Sequence, residues 1–357
     1  MDKKRILITG VAVAILAGLV YVQVRHWKTF DWATFLAETK HISLLHILHA
    51  IALIYVAYLM RAIRWKIFLR PVRPEASYMS LVGPTVVGFT GLALLGRPGE
   101  FIRPYLIARR QNLPVSSQVA AWAVERIFDV GAFATLMAVA IFLPSAMSAI
   151  PHPEYFSRFR EAGFALLGIV IGLACGAMVV ARMGNRLADW FEKEFAHLSA
   201  NLGHRIGQKI REFTVGLKTI HGPASLLALV VVSLVMWYFI ALAYQETMHS
   251  YGAEVLEIPV SQILLVMGSS MIGSMVQLPG VGGGSQLATI ATLNHVFDVP
   301  PELAASCGIL LWLVTFFAIV PVGLALARRE HLSLRKLSEE SHQAEEAALA
   351  APAPPGV

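Results

Sequence analysis

Charge is what this 357-residue chain most lacks: Asp, Glu, Lys and Arg make up 15% of it, whereas apolar residues make up 56% and mean hydropathy is +0.63. Soluble domains carry about 25% charge, so a water-soluble globule is excluded because it could not hide that much apolar surface. Cysteine is nearly absent. Cys175 and Cys307 each lie inside an apolar run, where a thiol behaves as a small hydrophobe, and no disulfide framework follows. Lysine and arginine are missing altogether from Thr219 to Ala327. No metal or cofactor is expected either. The spacing of His41, His46 and His49 fits no familiar zinc pattern, and the late glycine-rich stretch lacks the Lys-Ser/Thr of a nucleotide loop. The net charge of +6 sits beside apolar runs, which suits an anionic membrane face and not nucleic acid.

Long apolar runs are present in quantity, near residues 6–24, 44–60, 78–96, 118–143, 163–181, 224–246, 262–278, 285–297 and 302–327. About 18 or more such residues make a spanning helix. The first run follows Lys3, Lys4 and Arg5 and has no small-residue cleavage pattern, so it is expected to stay as an uncleaved helix. Cytoplasmic flanks are rich in Lys and Arg. By that rule Arg61, Arg64, Lys66, Arg70 and Arg73 before run 78–96, and Arg97, Arg103, Arg109 and Arg110 after it, put both of its flanks inside. One crossing cannot do that. Pro84, Gly88 and Gly91 interrupt the run, which predicts a re-entrant hairpin open to the cytoplasm. Arg328 and Arg329 place the C-terminus inside as well, so 224–327 must cross an even number of times. The stretch 261–297 is short for two spans and is broken at Leu278-Pro279-Gly280-Val281-Gly282-Gly283-Gly284, predicting a second hairpin that opens outward.

The expected fold is all-α: a polytopic transmembrane bundle of about six full spans and two opposed re-entrant hairpins. Residues 1–329 form the membrane domain, in a cytoplasmic membrane with both termini inside. Within it, 182–222 carries one apolar stripe at threes and fours, either an amphipathic helix on the inner membrane surface or a solvated connector packed on its own protein. Residues 330–357, rich in Ala, Glu and Pro, are expected to be disordered.

Charges within the apolar runs are the candidate site. Arg97, Glu100 and Arg103 precede Glu125, Arg126 and Asp129. A charge at helix-centre depth costs about 2.5–3.5 kcal/mol, so these groups must find partners. Glu125 and Asp129, four apart, share a helix face. Such a network can clamp a hairpin to a helix, or an uncompensated arginine within it can grip a lipid phosphate, and the two readings are compatible. Arg61, Arg64 and Trp65 form a second basic site, read either as interfacial anchoring or as head-group contact. The loop residues Pro279, Gly280, Gly282 and Gly283, with Gln286, offer either an anion-binding nest or close helix packing.

Through Arg61-x-x-Arg64-Trp65, Gly96-Arg97-Pro98-Gly99-Glu100-x-x-Arg103, Glu125-Arg126-x-x-Asp129 and Leu278-Pro279-Gly280-x-Gly282-Gly283, the chain resembles the flippase-like membrane domain family of lysylphosphatidylglycerol synthases over about residues 45–325. The resemblance implies movement of an anionic phospholipid or lipid-linked head group across the bilayer. Two departures stand out. Gln286 falls near the place where family members commonly carry a glutamate, and only a short Ala/Pro tail follows Arg329, so this chain is not expected to attach lysine to lipid. Membrane lipids are the expected partners, a second copy of the chain or a lipid synthase being left open. A transporter is favoured over an enzyme. The alternatives are a membrane-embedded enzyme acting on a lipid phosphate or isoprenoid carrier, with Glu125 or Asp129 as base, and an accessory subunit of a lipid synthase.

Overall fold

The computed structural model describes residues 31–142, 153–196, 203, 204, 207, 208, 210, 211, 222–274, 277, 278, 282–329, 339, 340 and 343. The first apolar run, the loop residues Pro279 and Gly280, and most of the C-terminal tail lie outside the described residues. The described chain is helical apart from one two-residue bridge pair. Its order is α1 (Trp32–Lys40), α2 (Leu44–Leu69), α3 (Tyr78–Leu95), a 3-10 turn (Arg97–Phe101), α4 (Ile102–Gln111), α5 (Val115–Phe142), α6 (Pro153–Ala196), α7 (Gly222–His249), α8 (Val260–Gly273), β1 (Gln277–Leu278), β2 (Gly282–Gly283), α9 (Gly284–Val296), α10 (Pro301–Trp312), a π-helical turn (Leu313–Phe317) and α11 (Val320–Arg329). Four of the described helices are long and apolar enough to cross a membrane: Leu44–Leu69, Tyr78–Leu95, Gly222–His249 and Pro301–Arg329. The protein is a polytopic helical membrane bundle.

The largest helix–helix interface joins α2 to α7. They run antiparallel: Ser43 N–H, before α2, donates to the Ser250 carbonyl just past α7 at 2.7 Å, and Arg64, late in α2, reaches Ser233, early in α7. Between them His46 Nδ1 meets Glu246 Oε2 at 2.6 Å, giving that histidine a partner of its own.

α3, the 3-10 turn and α4 make the first hairpin, entered from the C-terminal end of α2. The sequence predicts a break around Pro84–Gly91, whereas the helix continues to Leu95 and turns at Gly96, where φ is +70°. Proline removes one backbone donor. The carbonyl it would have satisfied, that of Ser80, instead accepts from Arg110 Nη1 on the returning arm at 3.2 Å. The glycines allow close approach and not a bend. A Cβ on Gly88 would stand 2.4 Å from Arg103 Cβ, and one on Gly99 would stand 2.2 Å from the Gly91 carbonyl oxygen, so the two arms pack backbone to backbone.

α8 and α9 make the second hairpin, entered from the opposite end of the α2–α7 pair: Gln245 Nε2, near the end of α7, donates to the Ile258 carbonyl just before α8. Its arms hold 14 and 13 residues, about 21 and 20 Å, against a hydrocarbon core of ~30 Å. Gln277 pairs with Gly283 and Leu278 with Gly282 at the tip. Gly273 lies so close to Gly284 that a Cβ there would meet its carbonyl oxygen at 2.1 Å.

The last helical stretch widens into a π-turn at Leu313–Phe317. Two carbonyls at this irregular region are met by tyrosines of α2: Tyr58 Oη donates to Thr315 O at 3.3 Å and Tyr55 Oη to Ala318 O at 3.0 Å. Packed on α5, α6 continues well beyond the predicted fifth run, through Ala196. Arg211 Nη2 returns to bond both Asp189 Oδ1 and Glu192 Oε2 at 2.7 Å, so Arg211 lies back against α6.

Candidate functional site

A network of buried charge ties the first hairpin to the bundle. Glu125 and Asp129 sit one turn apart on α5 and are essentially inaccessible. Glu125 is gripped from two sides: Arg103 of α4 donates through both Nη atoms, and Arg64 of α2 through Nη2. Arg64 Nη1 bonds Asp129 Oδ1 at 2.7 Å and Ser233 Oγ at 3.1 Å, so one guanidinium bridges both acids and a third helix. Asp129 also takes Trp237 Nε1–H at 3.2 Å and lies 3.1 Å from Arg126 Nη2. Trp65, fully buried, donates to Gln118 Oε1 at 3.0 Å and offers its ring to the Arg103 guanidinium 4.4 Å away.

The sequence treats Arg61, Arg64 and Trp65 as a site apart from Arg103, Glu125, Arg126 and Asp129. The fold makes them one. An arginine ending an apolar run looks like an interfacial anchor, yet α5 leans its two acids against that end of α2 and takes Arg64 out of contact with solvent. Glu100 faces the same region and acts electrostatically on Arg126. Arg97 opens the 3-10 turn beside it. Ser233 and Trp237, which sequence reasoning missed, are four apart on α7. A polar and an amphipathic residue one turn apart in an otherwise apolar run was the available signal.

The charges do not cancel. Among the described side chains Arg61, Arg64, Arg103 and Arg126 face Glu125 and Asp129, and counting Glu100 as well still leaves one positive charge over. Arg61 is the guanidinium least engaged in this group. Its Nη1 is 3.5 Å from Asp129 Oδ2 and has no hydrogen-bond partner among the described residues, and it stacks over Phe89 at 4.8 Å.

Arg61 opens onto a cavity of about 130 Å³ where the two hairpins meet. Phe89 and Leu92 come from α3, Ser270 and Met271 from α8, Tyr244 from α7 and Thr315 from the π-turn. Phe89 and Leu92 also wall a smaller recess with Glu100, Arg103 and Arg126. On the far side a third recess shares Tyr244, Ser270 and Thr315 and reaches Ser285, Gln286 and Trp312. Gln286 Oε1 accepts from Gly283 N–H at 2.8 Å, which caps α9 and fixes the amide at the loop. Gly282 and Gly283 form the bridge strand.

Residues 7–323 match the family model described as the lysylphosphatidylglycerol synthase TM region. The chain belongs to this family. The chain is similar to Glycosyltransferase AglD of Haloferax volcanii, 23% identical over 82% of this chain and 50% of AglD, and to a UPF0104 membrane protein of Methanothermobacter thermautotrophicus, 22% identical over 74% of this chain and 77% of that protein. The chain thus spans about half the length of AglD. No solved structure matches.

Proposed function

We propose that this family member is a lipid translocase of the cytoplasmic membrane, moving an anionic phospholipid or lipid-linked head group between leaflets with both termini on the cytoplasmic side. The observation that carries the reading is Arg61, buried and without a hydrogen-bond partner for its Nη1 among the described residues, facing a cavity between two hairpins that enter from opposite ends. A guanidinium holds a phosphate through two parallel charge-assisted bonds, and Arg61 stands where a phosphate in the cavity would meet it. Arg103, Arg126 and Glu100 then form the approach on one side of Phe89, and Ser285 and Gln286 lie beyond the cavity on the other.

Glycosyltransferase AglD lends its name to the second reading, an enzyme acting on a lipid-linked phosphate. The site favours it less, because the carboxylates that would serve as base are each already held by two or more guanidinia.

Reconstitution into vesicles with tail-labelled fluorescent phosphatidylglycerol tests the proposal. Quenching of the outer leaflet should exceed the half reached in empty vesicles, and Arg61→Ala should lower the rate roughly tenfold or more, the value of one charge-assisted contact. Rates equal to those of empty vesicles for several anionic lipids would sink the translocase reading.

A further inference from the structure

Phe89 stands between two spaces. Among the described residues, Phe89 and Leu92 are the only ones that line both the central cavity at Arg61 and the recess that holds Glu100, Arg103 and Arg126. The cavity measures about 130 Å³, whereas the recess has about 10 Å³, room for about one water. The charged recess and the cavity are therefore separate spaces with this wall in common.

What holds the wall differs between its backbone and its ring. On one side of α3, a Cβ on Gly88 would stand 2.4 Å from Arg103 Cβ and one on Gly91 2.5 Å from Ile102 Cδ1, so α4 lies directly on the turn that carries Phe89. On another, a Cβ on Gly323 of α11 would meet Thr90 Oγ1 at 1.7 Å, and that hydroxyl reaches the Ile319 carbonyl at 3.4 Å. Close-packed contacts of this kind resist displacement, so α3 cannot shift here without parting from α4 and α11. The ring has no such lock. Phe89 is only partly buried, and its ring is held by attraction: the Arg61 guanidinium lies 4.8 Å from its centroid, that of Arg103 5.0 Å, and the Tyr58 ring 4.9 Å. A phenylalanine on a helix has two allowed χ1 wells, near 180° and −60°. The neighbouring cavity supplies the room, since an apolar cavity of about 150 Å³ admits a whole benzene.

We propose that Phe89 is a side-chain gate between the recess and the cavity. Its ring blocks the passage as it stands and clears it by swinging to its other rotamer, while the backbone of the first hairpin stays fixed. Arg103 from the recess and Arg61 from the cavity hold the ring, so the closed seat is the resting one. Resting on the translocase reading only for what passes in the membrane, the gate is a property of the path itself and can be read with a small anion.

Ser270, 6% exposed on the α8 wall of the cavity, is the reporter. Ser270→Cys, made together with Cys175→Ala, is treated in sealed vesicles of each orientation with methanethiosulfonate ethylsulfonate, a small impermeant anion. Labelling is followed by mass spectrometry against the same protein with Ser270 retained. With the open rotamer a minor state, ~10% populated or less, labelling should be slow but above that background, and Phe89→Ala should speed it ~10-fold or more. The acceleration should appear with the reagent on the face where a cysteine at Asn112 is labelled. Phe89→Trp, which keeps the wall filled and opens no hole, should slow labelling below the Phe89 rate. Phe68→Ala removes an equally large ring, 2% exposed in a different packed cluster, and should leave the rate unchanged. A rate that Phe89→Ala does not raise and Phe89→Trp does not lower means that the ring is no barrier, and no labelling above background in protein that keeps Phe89 means a fixed wall. Either overturns the gate, as does equal acceleration by Phe68→Ala or acceleration from the opposite face. Lipid movement in the vesicle assay without this dependence on Phe89 would remove the gate and leave the translocase reading standing. The dependence without lipid movement would do the reverse.

Discussion

Arg64 and Arg61 lie three apart on one helix and have different tasks. Arg64 has no exposed side-chain surface and spans Glu125, Asp129 and Ser233. Removing one partner of a buried pair leaves uncompensated charge and costs about 3–5 kcal/mol, and here a single truncation strips two carboxylates at once. Arg64→Ala should lower the detergent-solubilised protein's unfolding midpoint sharply. Arg64→Lys should recover little, because an ammonium cannot present the fork that reaches both acids. Arg61→Ala should shift the midpoint far less while removing lipid binding. Equal destabilisation by the two alanine variants, followed by thermal unfolding, would mean that Arg61 is a structural partner only.

The elements show how glycine and proline can be misjudged from sequence. Pro84 reads as a helix breaker, yet the helix passes through it because Arg110 supplies a donor to the Ser80 carbonyl. Gly99 is where the fold leaves no room, its missing Cβ being replaced by the backbone of Gly91. Gly99→Ala should therefore force the arms apart and destabilise by roughly 1–3 kcal/mol, whereas Gly131→Ala, with open space around it, should be tolerated. Comparing their unfolding midpoints checks this. On the connector, bonds from His204 and then Arg211 lower the Glu192 carboxyl below its ordinary value of 4.5. A depressed folded-state value stabilises above the unfolded value and loses that contribution as pH falls through the folded one. Hydrogen exchange of residues 188–211, corrected for its intrinsic pH dependence, should accelerate as pH drops below about 4.5 in the unaltered protein. Glu192→Gln should remove most of that change.

At the scale of the whole molecule, two hairpins of unequal build enter from opposite ends of the α2–α7 pair and end on one cavity. This arrangement makes sidedness testable. Single cysteines at Val72 and Asn112, flanking the first hairpin, should both react with an impermeant maleimide in inside-out vesicles. A cysteine at Glu254, beside the second, should react only from the other face. Labelling of Val72 and Asn112 from opposite sides would mean that the first hairpin is a full crossing. The same comparison separates the inverted arrangement seen in many transporters from a simple bundle.

Composition and hydropathy by themselves determined that the chain is a helical membrane protein, since an apolar fraction this high leaves lipid as the only solvent for most of it. Local pattern also determined that charges at 97–129 need partners. Only tertiary structure decided that Arg61, Arg64 and Trp65 belong with those charges, that Gly96 and not Pro84 turns the first hairpin, and that neutral hydrogen-bonding groups face Arg61 across one cavity. Solvent preference is a property of each residue summed along the chain. Which distant side chains meet depends on how helices lean on one another, and that leaves no periodic trace in any one of them.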